Sequence, residues 1–292
     1  MSTARGLRRV ICRFLDGKID VEELARMVDN STTTSLPVTV LSLSDVQKMF
    51  NLTKILDTEF DTVAPVALPA DLKQYLEWTD DAHGPSWGEA SIRLKLNLLL
   101  VRAHRLVTSS LQNSARPINI QRERMWAFRP VEWMRRIHSL SGRPDYAIWY
   151  GDEVDIDLNV VIIEAKRPSA SSLGVPQALA YMGKSCVHRQ RKDLGKSDTT
   201  VYGIATDVET FHLLKLDNES RWSVKSVSVV DNKFEEVFGV LIHLMQKAAS
   251  MPPTTSKRTS RRTQEWSTDS DLIFDHNPEG DVDLDDEMVL MN

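Results

Sequence analysis

Two segments in the middle of the chain decide the fold: Asp145–Tyr150 (DYAIWY) and Asn159–Lys166 (NVVIIEAK). Both are rich in the aromatic and β-branched residues that favour β-strands. The second segment contains four consecutive apolar residues, Val160–Ile163, a pattern typical of a strand covered on both faces in the interior of a sheet. The polar residues 151–158 between the two segments predict a turn, so we expect the strands to form a hairpin.

The hairpin determines which side chains face each other. If Tyr150 pairs with Asn159, the same register places Asp145 opposite Glu164, with Cβ atoms about 4.5–5.5 Å apart. Lys166 lies on the same face as Glu164 because side chains alternate along a strand. Two carboxylates this close repel each other unless a cation lies between them, and their oxygen atoms suit Mg²⁺ or Mn²⁺. With a lysine beside them to hold a water molecule, they predict a site that hydrolyses phosphodiesters.

Helical periodicity is found on both sides of this hairpin. Residues Gly88–Ser109 carry apolar side chains at steps of three and four, which predicts a long helix with one buried face. Downstream, Pro176 predicts the start of a helix that runs to about Lys192. Strands at 200–205, 211–216 and 222–229 and a closing helix at 233–249 complete the pattern. The fold class we expect is α/β, a mixed β-sheet flanked by helices.

The two ends of the chain differ from this core. Residues 1–70 predict a helical N-terminal accessory region, with helices at 6–16, 21–28 and 44–56 and a Ser/Thr/Pro-rich separator at Asn30–Pro37. Residues 250–292 predict a disordered acidic tail, because they contain too few apolar residues to form a core. The net charge of -5 arises in this tail, so it does not exclude nucleic-acid binding by the body. The basic cluster between Lys257 and Arg262 is either a nuclear-import signal or part of a solubilising tail.

Composition excludes several classes of protein. The chain has 292 residues, of which 41% are hydrophobic and 26% charged, as in soluble globular proteins. No apolar stretch approaches the roughly 20 residues of a membrane span, and no secretory signal is recognisable. The two cysteines, Cys12 and Cys186, predict neither a disulfide framework nor a zinc site, so we expect an intracellular location, in the nucleus or cytoplasm. Motifs of serine hydrolases, P-loop proteins and thiol enzymes are absent from the sequence.

The segments around the hairpin resemble a known family, the PD-(D/E)XK nuclease superfamily of restriction-endonuclease-like proteins. The matching segments are Arg143-Pro144-Asp145, Glu164-Ala165-Lys166 and the helical segment Gln177-Ala178-Leu179-Ala180-Tyr181. The resemblance covers residues 71–249, which we therefore treat as a nuclease-like domain. Within it, Tyr202–Asp207 followed by Phe211-His212-Leu213 resembles an uncharacterised fungal branch of this superfamily.

The resemblance implies a divalent metal cofactor, Mg²⁺ or Mn²⁺. Asp145 and Glu164 would bind the metal together with the backbone carbonyl of Ala165. Glu89, in the upstream helix, would complete the acidic cluster directly or through water. From the helix alone, Glu89 has a second interpretation, as an acidic residue that complements the helix dipole in the first turn.

The resemblance also implies catalytic and nucleic-acid-binding residues. Lys166 would orient the attacking water, and Gln177 would position the lysine or the phosphate. The candidate nucleic-acid-binding residues are Tyr181, Lys184, His188, Arg189 and Arg143. Core packing remains an alternative for Tyr181, and a solvated basic face remains one for the end of the helix.

Two functions follow as hypotheses. The first is a metal-dependent nuclease that acts on DNA. The second is a catalytically inactive nuclease-like fold that binds nucleic acid or a protein partner, through the N-terminal region or the acidic tail. Neither hypothesis involves a membrane.

Overall fold

The computed structural model describes residues 12–17, 20–23, 34–83, 88–111, 118–123, 126–127, 131–134, 136–150, 161–183 and 200–250. The longer helices are α1 (Leu43–Phe50), α2 (Ala70–His83), α3 (Glu89–Ser110), α4 (Gly174–Gly183) and α5 (Glu235–Ser250). The strands are β1 (Thr34–Pro37), β2 (Thr53–Lys54), β3 (Ile118–Arg122), β4 (Trp126–Ala127), β5 (Val131–Trp133), β6 (Arg136–Gly142), β7 (Tyr146–Tyr150), β8 (Val161–Ala165), β9 (Val201–Thr206), β10 (Thr210–Leu216) and β11 (Arg221–Ser228).

The main sheet has seven strands within the described residues, in the order β2-β11-β10-β9-β8-β7-β3. Strand β8 is parallel to β9 and antiparallel to β7, so the sheet is mixed. Every residue of β8 is buried, as its run of apolar residues predicts for an interior strand. Helices flank the sheet, which confirms the predicted mixed α/β class. A smaller sheet joins β1, β4, β5 and β6.

The register of the β7–β8 hairpin agrees with the sequence-based prediction. Tyr146 pairs with Ile163, and Ile148 pairs with Val161. Continued by one residue, this register brings Asp145 beside Glu164. Because side chains alternate along a strand, the two faces of the hairpin belong to different cores. Tyr146 and Ile163 face one core, and Ala147 and Ile162 face the other.

One core lies between the main sheet and helices α2, α3 and α5, and the other between the sheet and helices α1 and α4. Leu96 and Leu99 of α3 and Phe238 of α5 are fully buried in the first core. Burial of such a side chain contributes about 1.5–3 kcal/mol. The second core contains Leu179 and Met182 of α4, so α4 is held against the face of the sheet that carries Asp145 and Glu164.

Residues 34–69 take part in both sheets and both cores. Strand β1 pairs with β6, and β2 pairs with β11. Glu59 bonds to Lys215 at 2.7 Å and to Tyr202 at 2.8 Å. Burial alone raises a carboxyl pKa, but these contacts and the ammonium of Lys247 outweigh it and lower the pKa of Glu59 to about 2. This ionic cluster fastens the segment to the body of the protein.

Two local predictions for this N-terminal segment are wrong. The separator expected at Asn30–Pro37 contains strand β1, because pairing with β6 supplies hydrogen bonds that a local pattern does not reveal. The helix expected at 44–56 ends at Phe50, because Asn51 adopts a left-handed conformation (φ 53°) that caps it. The tail from residue 251 and the segment 184–199 lie outside the described residues. Among the helices described, none has the length and apolar character needed to cross a membrane.

Candidate active site

Asp145 and Glu164 meet where strands β7 and β8 adjoin. Asp145 directly precedes β7, and Glu164 is the penultimate residue of β8. The backbone N–H of Ala165 donates a hydrogen bond of 2.7 Å to Oδ2 of Asp145, which ties this carboxylate to β8. Asp145 is 6% exposed and Glu164 is 3% exposed. The predicted pair of neighbouring acidic residues is therefore present and is removed from bulk water.

Lys166 continues the same strand edge. Its ammonium donates hydrogen bonds to Oε2 of Glu164 at 3.2 Å and to Oε1 of Gln177 at 2.7 Å. Gln177 lies on α4, whose first residue, Gly174, packs against Glu164, Lys166 and Ala205. The helix thus fixes the position of the lysine over the carboxylates. The structure brings together Asp145, Glu164, Lys166 and Gln177, as the resemblance implies.

The second carboxylate oxygen of Glu164 has no partner among the described residues. Oε1 is buried and, within the described part of the chain, accepts no hydrogen bond. Burial is the largest influence on this carboxyl group, and it raises the pKa of Glu164 to about 8. Burial likewise raises the pKa of Asp145, although the Ala165 N–H and Arg93 oppose the change. A buried, unpartnered carboxylate oxygen is costly for a protein unless a ligand completes it.

A cluster around Arg93 of α3 adjoins this pair, and sequence reasoning missed it. The Nη2 atom of Arg93 lies 2.6 Å from Oδ1 of Asp145 and 2.7 Å from Oε1 of Glu89. The Nη1 atom lies 2.9 Å from Oε1 of Glu123. Glu123 follows β3, and its backbone N–H donates to the carbonyl of Asp145 at 3.2 Å. Glu123, Asp145 and Glu164 therefore stand side by side across three strand ends.

Glu89 is connected to Asp145 through Arg93. Both carboxylates bind the same guanidinium nitrogen, and the Glu89 side chain is largely exposed. The spacing of four residues between Glu89 and Arg93 is a signal that the sequence contains, since such pairs face each other on a helix. It indicates a surface ion pair, however, and not a contact with Asp145.

The predicted nucleic-acid-binding residues have different surroundings. Tyr181 is buried beneath β6, where its hydroxyl accepts a hydrogen bond from the backbone N–H of Arg143, and burial raises its pKa. Of the two interpretations of Tyr181, core packing matches this position. The side chain of Arg143 is exposed beside the site. Lys184, His188 and Arg189 lie outside the described residues.

The donor atoms fit a magnesium or manganese ion. In the described residues no group of three or more His, Cys, Asp or Glu side chains converges as a metal site. Mg²⁺, however, is commonly held by one or two carboxylates plus water and substrate phosphates. Across the cluster, four carboxylates (Glu89, Glu123, Asp145 and Glu164) adjoin two cations (Arg93 and Lys166), so full ionisation leaves two uncompensated negative charges. One divalent ion carries the opposite charge.

A comparison with models of known protein families finds no match to this chain, and a comparison with curated proteins finds none either.

Proposed function

We propose that this chain is a metal-dependent nuclease that hydrolyses phosphodiester bonds in DNA, built on a restriction-endonuclease-like core. One observation carries the proposal. Glu164 is buried next to Asp145 and within hydrogen-bond distance of Lys166, and one of its oxygens has no partner in the part of the chain that the structure describes. A purely structural ion pair does not require two adjacent buried carboxylates, because their mutual repulsion destabilises the fold. A site for a divalent cation accommodates them, because the cation compensates their charge.

In the proposed mechanism, the carboxylates hold the metal ion and Lys166 acts on the water and the phosphate. Asp145, Glu164 and the backbone carbonyl of Ala165 would hold Mg²⁺ or Mn²⁺, which supplies Lewis acidity and lowers the pKa of bound water. Lys166, fixed by Glu164 and Gln177, orients the attacking water and stabilises negative charge that develops on the phosphate. The buried setting strengthens these interactions, because the local dielectric constant is lower than in water.

The direct test is DNA cleavage in Mg²⁺ or Mn²⁺ by wild type, Asp145→Asn and Lys166→Met. Loss of the lysine is expected to slow cleavage by about 10²–10⁴-fold. The matched control is Lys215→Met, because Lys215 is 18% exposed and ion-paired, as Lys166 is at 19%, but belongs to the Glu59 cluster. Cleavage that is equal in Lys166→Met and Lys215→Met would remove the proposed role of Lys166.

One observation favours the second candidate, a nuclease-like fold that binds nucleic acid or protein without catalysis. Both oxygens of Asp145 already accept hydrogen bonds, from Arg93 and from the Ala165 N–H. Calorimetric titration with Mn²⁺ separates the two candidates. Binding that is lost in Asp145→Asn supports the nuclease, and no binding by wild type supports the interaction module. A nuclear or cytoplasmic location, and a protein partner for the N-terminal region or the tail, stay predictions.

A further inference from the structure

Arg93 has more ion-pair partners than are needed to join helix α3 to the sheet. Its guanidinium contacts three carboxylates, those of Glu89, Glu123 and Asp145. Arg102, nine residues further along the same helix, is comparably exposed (31% against 36%), and among the described residues it forms an ion pair with Asp71 alone, at 3.2 Å. Two carboxylates thus hold the arginine in addition to Asp145. The arrangement fixes the direction of the guanidinium fork.

The guanidinium still has capacity to donate. Arginine carries five N–H groups, and the three contacts of Arg93 use one on Nη1 and two on Nη2. The Nε atom is buried, as is that of Arg102, so it is not accessible to DNA and does not distinguish the two residues. The second Nη1 hydrogen has no partner among the described contacts. On a side chain that is 36% exposed, a guanidinium held in place with this unused donor is suited to bind an oxyanion such as a phosphate.

Arg93 lies next to the carboxylate pair formed by Asp145 and Glu164. Nη2 binds Oδ1 of Asp145, while Oδ2 faces the Ala165 N–H on the strand of Glu164. The free Nη1 hydrogen belongs to the same guanidinium, so an anion that binds it lies close to Asp145. The four surrounding carboxylates repel the DNA backbone, and Lys166 is already engaged by Glu164 and Gln177. Arg93 is a second cation at the site, in direct contact with Asp145.

We infer that Arg93 is a phosphate-binding residue, whose guanidinium binds a non-bridging oxygen of the DNA phosphodiester while Glu89 and Glu123 hold it in position. The inference rests on the proposed function, because DNA is the substrate of that function. It assigns Glu89 to the support of Arg93.

The test measures DNA binding separately from cleavage. Wild type, Arg93→Met, Arg93→Lys and the control Arg102→Met bind a labelled short DNA duplex in Ca²⁺ over a series of salt concentrations, with fluorescence anisotropy as the readout. Arg93→Met is expected to bind about 10-fold more weakly or worse, and the slope of log affinity against log salt is expected to fall by about 1. Arg102→Met is expected to keep the wild-type slope. Arg93→Lys keeps the charge and recovers part of the affinity. Circular dichroism melts check that the variants are folded. If Arg93→Met unfolds, the DNA affinity of Arg93→Lys is compared with that of Arg102→Met, and the inference predicts weaker binding by Arg93→Lys.

Each outcome has a separate meaning when cleavage in Mn²⁺ is measured in parallel. If Arg93→Met binds with the slope and affinity of Arg102→Met, the inference is overturned, and wild-type cleavage leaves the proposed function standing. If wild type binds DNA through Arg93 but does not cleave it, the proposed function fails and the phosphate contact stands. If wild type neither binds nor cleaves DNA, both are overturned.

Discussion

The ammonium of Lys166 donates a hydrogen bond of 2.7 Å to the side-chain carbonyl of Gln177. This bond joins the end of β8 to helix α4, although eleven residues of chain separate the two side chains. Lysine is a flexible side chain with three donors, so a fixed acceptor is needed to hold it in one direction. Gln177 is therefore a positioning residue for the lysine.

Gln177→Leu is expected to lower kcat by about 10-fold while KM changes little, because the lysine is misdirected only at the reacting phosphate. Steady-state cleavage of a DNA substrate in Mn²⁺ measures both parameters. Gln47→Leu in α1 is the matched control, since Gln47 is also partly buried in a helix but lies away from the site. A rise in KM of about 10-fold with unchanged kcat would show that Gln177 binds substrate and does not position Lys166.

Glu164→Gln is expected to abolish cleavage and to stabilise the metal-free fold at alkaline pH. The folded pKa of about 8 lies above the ordinary value of 4.5, so the folded state holds a proton that the unfolded state has released between these values. The unfolding free energy of wild type therefore falls as pH rises from about 4.5 to about 8, and above pH 8 the full penalty is present. The variant lacks this group and loses this part of the pH dependence.

Urea denaturation in EDTA from pH 5 to pH 9 checks this prediction, with the difference in unfolding free energy between the two proteins as the readout. The difference should widen with pH in favour of the variant. The exposed Glu219→Gln is the control, and it should leave the pH dependence of wild type intact. A variant that is less stable than wild type at every pH would contradict the prediction.

Gly174→Ala is expected to disturb the site through packing. A methyl group at Gly174 would lie 3.0 Å from Cβ of Ala205 and 3.3 Å from Cγ of Lys166. The backbone at Gly174 has an ordinary φ of -78°, so the effect comes from space alone. Overpacking costs about 1–3 kcal/mol, which exceeds the 0.5–1 kcal/mol, roughly, that alanine gains over glycine in a helix. The midpoint temperature of thermal denaturation and the rate of DNA cleavage should both fall.

Gly88→Ala is the control for this change, because no described residue lies within 4 Å of a methyl group at Gly88. Wild-type stability and activity in Gly174→Ala would contradict the prediction, and would mean that α4 shifts away from Ala205 at little energetic cost.

The hairpin and its acidic pair could be predicted because their signals are local. The apolar run in β8 and the polar residues before it predict the register that the described pairs of β7 and β8 have, and the neighbouring positions of Asp145 and Glu164 follow from it. Helix α3 was predicted to within one residue at each end for the same reason, since its apolar stripe has a helical period. These features depend on neighbours in sequence.

Arg93 and strand β6 could not be predicted from local patterns. Arg93 lies 52 residues from Asp145 in the chain, and a charged side chain on a helix is typical of a solvated face. Strand β6 (RIHSLSG) is mostly polar and partly exposed, and it is held by pairing with β1, β4 and β5. Tertiary contacts decided both outcomes, and they place Arg93 between Glu89 and Asp145.

Glu89→Gln is expected to leave the affinity for Mn²⁺ within about 3-fold of wild type, whereas Asp145→Asn is expected to weaken it by more than about 10-fold. The reason is that Glu89 is exposed and bound to Arg93, while Asp145 adjoins Glu164 on the neighbouring strand. Glu123→Gln is the matched comparison, because Glu123 binds the other terminal nitrogen of the same guanidinium and is similarly exposed. Isothermal titration with Mn²⁺ measures all four proteins. A loss of affinity in Glu89→Gln as large as in Asp145→Asn, with Glu123→Gln unchanged, would make Glu89 a metal ligand, as the family resemblance implies.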